Sequence, residues 1–157
     1  TSTMVCKISR NRSLGDTINY NLKELSQVVT KENLLGIFIE ENRKEMALDI
    51  AKFNGRAANL VAHVKISPPI SLGRKLTEEH WQLIPKIYLH HMGGTLNTHK
   101  SIWFKHTDKN HYHIHGVISC ISPEGKIYRA LENELVFSRY IGKHLIMPYL
   151  NLESSLD

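Results

Sequence analysis

Cysteine is scarce in this chain. Cys6 and Cys120 are the only two among 157 residues, too few for a disulfide framework. Both stand in apolar, strand-like runs, where free thiols are commonly buried, so a reducing, cytoplasmic compartment is expected. Long apolar runs are missing as well. None approaches the roughly 20 residues that a bilayer-spanning helix needs, and no secretory apolar segment precedes the first strand-like stretch, so membrane insertion is not expected. Repeats, low-complexity tracts and linker-like breaks are also lacking, which leaves one domain of ordinary size. Thr1-Ser2-Thr3 before Met4 reads as the residue of tag removal, so the domain is expected to cover 4–157. Acidic charge is in the minority, with 15 Asp and Glu against 20 Lys and Arg, a formal charge of +5. That balance suits a polyanionic partner, and it equally suits a solvated basic surface.

The abundant residue is histidine, with ten copies, and their spacing carries more information than their number. The surrounding pattern alternates strand and helix. Met4–Ser9 reads as a strand, followed by a helix capped by Ser13 and running to about Gln27. Leu34–Glu40 (LLGIFIE) reads as a second strand, Lys44–Ala58 as a helix, and Leu60–Ser67 as a third strand stopped by Pro68-Pro69. Thr77 caps a helix with Glu78 and Glu79 in its first turn, favourable beside the positive helix end. Trp81, Ile84, Ile87 and Tyr88 line one face of it, Pro85 predicts a kink, and Gly93-Gly94 stop it. Ser101–His106 and His111–Ile121 read as strands joined by the turn at 107–110. A short strand at Lys126–Tyr128 and a last helix over about Glu132–Leu150 complete the chain. The sum is an α/β (α+β) sandwich, a mostly antiparallel sheet with helices packed on its faces.

The segment His106-Thr-Asp108-Lys-Asn-His111-Tyr112-His113-Ile-His115 concentrates the chemistry. Side chains alternate across a strand, so His111, His113 and His115 share a face, with Tyr112 and Ile114 on the other. The Cα atoms of His113 and His115 lie about two strand rises apart, roughly 6.6 Å, near enough for imidazoles to converge on one ion. A hairpin brings His106 beside them. Neutral imidazoles leave coordination positions open for a substrate oxygen, and Asp108 is placed to hold a ligating histidine by its second ring nitrogen. Four histidines compete for three places at this stage.

This stretch resembles the third motif of the relaxase/mobilisation nuclease family of conjugative plasmids, the P-type mobilisation group within the HUH endonuclease superfamily. His113-Ile114-His115 is similar to the histidine–hydrophobe–histidine pair that names the superfamily, and His106 matches the upstream histidine that completes its metal site. The resemblance therefore implies His106, His113 and His115 as ligands of a divalent ion, Mg or Mn, with Zn or another metal able to substitute in vitro. His111 is left as a neighbour. His63-Val-Lys-Ile-Ser67-Pro-Pro, followed by Leu76-Thr-Glu-Glu-His-Trp81, is similar to the second motif. The first motif reads Met4-Val-Cys-Lys-Ile-Ser-Arg10 and then Asp16-Thr-Ile-Asn-Tyr20. Ser119 stands where the family often has asparagine, and Ile70–Lys75 shows no evident match to the acidic residue that commonly follows the serine. Relaxases of this kind are usually longer, so an N-terminal fragment is expected.

Helical spacing bears on the nucleophile. Leu14, Ile18, Leu22 and Leu25 define the expected buried face of the first helix. At about 100° per residue, Tyr20 points roughly 150° away from it, as an ordinary exposed tyrosine also would. With the family position, Tyr20 becomes the expected nucleophile. Tyr88 fits an apolar helix stripe, and Tyr140 and Tyr149 belong to the last helix among its apolar residues. The implied reaction is attack by Tyr20 on a phosphodiester of single-stranded origin-of-transfer DNA, giving a 5′-phosphotyrosine and a free 3′ hydroxyl. Asp108 is one candidate acceptor for the phenol proton. Arg10, Arg12, Lys100, Lys105 and Lys109 flank the expected site as phosphate contacts, Tyr112 is a candidate to stack on a base, and His111, His63 and Ser67 are candidate DNA or supporting residues. The resemblance also implies accessory relaxosome proteins, a type IV coupling protein, and a bacterial cytoplasmic protein that can be exported with the DNA into a recipient cell. The alternatives are a rolling-circle replication initiator of the same superfamily, a metallohydrolase acting through water, and a non-catalytic DNA-binding module with a histidine metal site.

Overall fold

The computed structural model describes residues 3–23, 26–107, 110–129 and 133–155. Strands β1 (Val5–Asn11), β2 (Ser26–Glu32), β3 (Val61–Ser67), β4 (Ser101–His106) and β5 (His113–Ser119) form one sheet in the order β1-β3-β5-β4-β2. Every neighbouring pair in it is antiparallel. The helices are α1 (Leu14–Leu22), α2 (Ile39–Ala51), the single turn α3 (Ile70–Gly73), α4 (Glu78–Met92), α5 (Glu134–Ile141) and α6 (Met147–Ser155). A π-helical segment, Gly142–Ile146, joins the last two. The expected α/β sandwich is observed. None of the described helices is long and apolar enough to cross a membrane.

Register sorts the sheet into two faces, because directly opposed residues of an antiparallel pair project to the same side. One face carries Cys6 and Ile8 of β1, Val64 and Ile66 of β3, Ile114 and Ile118 of β5, and Trp103 of β4. Trp81, Ile84, Tyr88 and Leu89 of α4 bury it, with Ile141, Ile146 and Leu150 of the last helical run. Gly116 makes room within this core, since a Cβ there would lie 2.5 Å from the Trp103 ring. The opposite face is apolar at one end only. There Val61, Ile102, Phe104 and Val117 receive Leu14 and Ile18 of α1 and Met46 of α2. The apolar cluster stops one alternation short of His106 and His115, so the histidines occupy the remaining end of that face.

Several sequence expectations need correction. Helix α1 ends at Leu22, not near Gln27, and Ser26–Glu32 is a strand pairing with β4 across a register shift between Val28 and Thr30. The β-branched run Val28-Val29-Thr30 favours that choice. The apolar segment Leu34–Glu40 is not a strand. Asn33 turns the chain at φ 62°. The Glu45 carboxylate then accepts from the N–H groups of Leu35 and Gly36, and Glu41 accepts from that of Phe38. Side chains of α2 thus satisfy backbone donors that a neighbouring strand would otherwise take, and Leu35, Ile37 and Phe38 stay exposed. The helix expected at Lys44–Ala58 is Ile39–Ala51. The expected strands His111–Ile121 and Lys126–Tyr128 shorten to His113–Ser119 and a single bridge, Ile121 with Ile127. Leu22 is exposed, and Thr17 and Asn21 are buried in its place. Tyr140 and Tyr149 are partly exposed. Leu25, Asp108, Lys109 and Glu132 lie outside the described residues.

Candidate active site

Helix α1 has only nine residues, below the length at which a helix is stable alone. Burial of Leu14 and Ile18 against the sheet therefore holds it, with about 1.5–3 kcal/mol per fully buried side chain. Polar contacts fix its rotation. Ser13 Oγ accepts from Asp16 N–H at 3.1 Å, Asn11 Nδ2 donates to Thr17 Oγ1 at 3.1 Å, and Asn21 Nδ2 donates to Thr17 O at 2.8 Å. With those residues turned inward, Tyr20 faces outward and is 56% exposed. Its ring does not stand free: it meets the His63 ring edge-on at 6.2 Å between centroids.

His63 comes from the middle of β3. Its Nε2 lies 3.1 Å from Nδ1 of His115 and 3.4 Å from Nδ2 of Asn21. The Asn21 amide is oriented by its bond to Thr17 O, so its nitrogen faces His63 and donates. Nε2 of His63 is then an acceptor, and His115 donates to it from Nδ1. That assignment leaves the lone pair of His115 on Nε2, which is buried and has no hydrogen-bond partner among the described residues. Burial holds His63 below its usual pKa, helped by His106 and Lys65. Burial, then His106, His63, His113 and Lys65, push His115 down to about 2. Both rings are therefore neutral near pH 7.

His115 faces two more imidazoles. His106, the last residue of β4, pairs in register with His113, the first of β5. Ring centroids are 4.3 Å apart for His106 and His115, 5.2 Å for His106 and His113, and 4.9 Å for His113 and His115. One nitrogen from each of the three lies within 4.8 Å of the others. His113 Nδ1 donates to the carbonyl of His111 at 3.1 Å, so its Nε2 also carries a lone pair. A pocket of nitrogen lone pairs, one of them a buried acceptor with no donor among the described residues, fits a divalent cation.

The other expected residues divide. His111 is exposed and donates from Nε2 to the Pro68 carbonyl at 2.9 Å, outside the three-histidine cluster. Ser67 is buried at the end of β3, on the same alternation as His63. Arg12 is exposed and lines an open cleft of about 710 Å³ with Tyr20 and His63. Arg10 borders that cleft too, but its guanidinium is engaged, with Glu134 at 2.7 Å and Cys120 Sγ at 2.8 Å. Lys100 is paired with buried Asp49. Lys105, one residue from His106, projects to the opposite face by strand alternation, and its ammonium lies 5.0 Å from the Trp81 ring centroid and 5.3 Å from that of Tyr112. Tyr112 packs against the same large core. Neither Lys105 nor Tyr112 reaches the histidine face. The link through His63 is the main feature beyond sequence reasoning. Its signal is alternation, but reading it requires knowing that β3 lies beside β5.

The sequence model of the MobA/VirD2-like relaxase nuclease domain matches residues 19–143. Solved structures that resemble the fold include two of a relaxase domain with DNA. The MobM relaxase domain (MOBV; Mob_Pre) bound to 26-nucleotide pMV158 oriT DNA gives a TM-score of 0.58 at 15% identity, over 98% of this chain and 86% of that one. The MobM relaxase domain bound to pMV158 oriT DNA of 22 nucleotides with a 3′ thiophosphate, Mn-bound at pH 6.8, gives 0.58 at 14% identity, over 97% and 86%. No curated protein sequence matches this chain.

Proposed function

The chain belongs to the relaxase family, as a MobA/VirD2-like nuclease domain, and on that premise we propose that it cuts one strand of single-stranded origin-of-transfer DNA with Tyr20 as nucleophile. The phenol oxygen bonds to phosphorus, the bond from phosphorus to the 3′ oxygen breaks, and the products are a 5′-phosphotyrosine and a free 3′ hydroxyl. One phosphodiester replaces another, so the strand can be rejoined after transfer.

His106, His113 and His115 would hold a divalent cation, Mg²⁺ or Mn²⁺. When bound, it supplies Lewis-acid neutralisation of charge on the phosphoryl oxygens. The chain's own residues prepare the reaction. His63 keeps Nε2 of His115 deprotonated, and the His111 carbonyl does the same for His113. The fold of α1 against the sheet presents the phenol at the edge of the cluster. A phenol has an ordinary pKa of about 10, so its proton must leave during attack. His63 is not the acceptor, because two N–H donors already occupy its Nε2 lone pair. Asp108 or water takes that part.

The observation that carries this reading is the continuous contact from the Tyr20 ring to His63 and from His63 to His115. The DNA-bound state of the MobM relaxase domain supports oriT DNA as the ligand class. Accessory relaxosome proteins and a type IV coupling protein are its partners on the same reading, in a bacterial cytoplasm. The test is incubation with an end-labelled oligonucleotide carrying the cognate origin and Mn²⁺, followed by a denaturing gel. A protein-linked band that Tyr20→Phe abolishes is expected. Cleavage that survives Tyr20→Phe without a linked band would point to water as nucleophile instead.

A further inference from the structure

Two lysines stand directly opposite each other on the histidine face. Lys7 of β1 is the register partner of Lys65 of β3, and Lys65 is the partner of His115. Opposed residues on an antiparallel pair have Cβ atoms about 4.5–5.5 Å apart, and like charges there oppose folding. Both are exposed, and neither has an ion-pair partner among the described residues, whereas Lys52, Lys86 and Lys100 each have one. A third cation joins them. Because β1 is an edge strand, α5 reaches round it, and the Arg10–Glu134 ion pair ties the first turn of α5 to β1. Leu135, the residue after Glu134, and Arg139 in the next turn line an open cleft of about 440 Å³ with Lys7, Lys65, His115 and Tyr20. Among the described residues, none that lines it is a carboxylate.

A lysine on an edge strand can serve only to deter strand-to-strand aggregation. That explanation covers Lys7 and fails for Lys65, which sits on an interior strand and still projects its charge into the cleft. Facing cations with no carboxylate beside them among the described residues favour an anion from outside the fold. The cleft shares Ser9, Tyr20 and His63 with the one that Arg12 lines, so a groove runs past the phenol on both sides.

We infer that Lys7, Lys65 and Arg139 form a phosphate cradle that grips the backbone of a single DNA strand beside the scissile phosphate, on the side of Tyr20 away from Arg12. The inference rests on the DNA-cutting reading for its ligand, and it requires neither the metal nor the nucleophile. Leu135 supplies an apolar wall against which a sugar or base can lie. Each removed contact should lower the salt dependence of binding, by about 0.7 in the slope of log K against log salt for a single strand.

The test is fluorescence anisotropy with labelled oligothymidylate in EDTA across a salt series. Lys7→Gln, Lys65→Gln and Arg139→Gln should each lower the slope by about 0.7, and the triple variant by about 2. Lys126→Gln, the same charge change at an exposed turn residue, is the control and should leave the slope near that of the parent. Lys65→Arg should keep the slope, and Lys7→Gln should melt at or above the parent temperature because it relieves the opposed charges. Slopes indistinguishable from the control overturn the cradle, as does a loss in Lys65→Arg equal to that in Lys65→Gln. If the cradle variants behave as expected and no covalent adduct forms with Mn²⁺, the nucleophile reading fails and the cradle stands. If an adduct forms and the slopes are unchanged, the cradle fails and the nucleophile reading stands.

Discussion

The Nδ1–H of His115 points at Nε2 of His63 across 3.1 Å, and this bond connects the three-histidine cluster to the residue that the Tyr20 ring abuts. It fixes which nitrogen of His115 is free to bind an ion. Outer-shell hydrogen bonds of this kind typically change metal affinity by about 10–100-fold. His63→Phe should therefore weaken Mn²⁺ or Zn²⁺ binding by about that factor in calorimetry. His63→Gln, whose side-chain oxygen can still accept, should recover part of it. Equal affinity in the parent and His63→Phe would show that His63 does not orient His115.

The same burial makes stability pH-dependent when metal is removed. His115 is held down to about 2 in the folded state, while an unfolded histidine titrates near about 6.5. Between those values the unfolded chain binds the extra proton, so stability is fully present above about pH 6.5 and falls as pH drops. The limiting slope is about 1.4 kcal/mol per pH unit for one such residue. His63 and His99 are lowered by burial and act in the same direction. Urea denaturation in EDTA from about pH 8 to about pH 5 should show this decline, and His115→Asn should reduce it. A flat profile would contradict the neutral, buried assignment.

Arg10 and Arg12 should separate cleanly. Arg10 is partly buried between Glu134 and Cys120, so Arg10→Gln should cost about 1.5–3 kcal/mol of stability, the range for hydrogen bonds to charged groups. Arg12 is exposed in the groove. Arg12→Gln should leave the melting temperature within error of the parent and weaken single-stranded DNA binding in anisotropy. The opposite assignment of effects would mean that Arg10 contacts DNA directly.

Local signals make much of this fold legible. Strand β4 lies where its short apolar run puts it, at Ser101–His106, and Thr77 caps α4 as its side chain and the following acidic turn indicate. The convergence of His106, His113 and His115 follows from alternation plus a hairpin. Legibility fails where side chains override a local backbone pattern or where a residue's partner is distant in sequence. Leu34–Glu40 has strand composition, yet Glu45 and Glu41 take its backbone donors. Arg10 reads as a free cation, but Glu134, 124 residues away, engages it. Lys105 is adjacent to His106 in sequence and lies on the other side of the sheet. Lys7 and Lys65 carry no local signal, because only the β1–β3 register brings them together.

On the proposed reaction, Tyr20 becomes bonded to DNA. The most direct measurement is tryptic digestion and tandem mass spectrometry of the adduct formed with cognate origin oligonucleotide and Mn²⁺, after nuclease trimming of the DNA. The nucleotide mass is expected on the Tyr20 side chain, with no adduct in Tyr20→Phe and an unchanged yield in Tyr140→Phe. Nucleotide mass on His63, or on any tyrosine other than Tyr20, would contradict it.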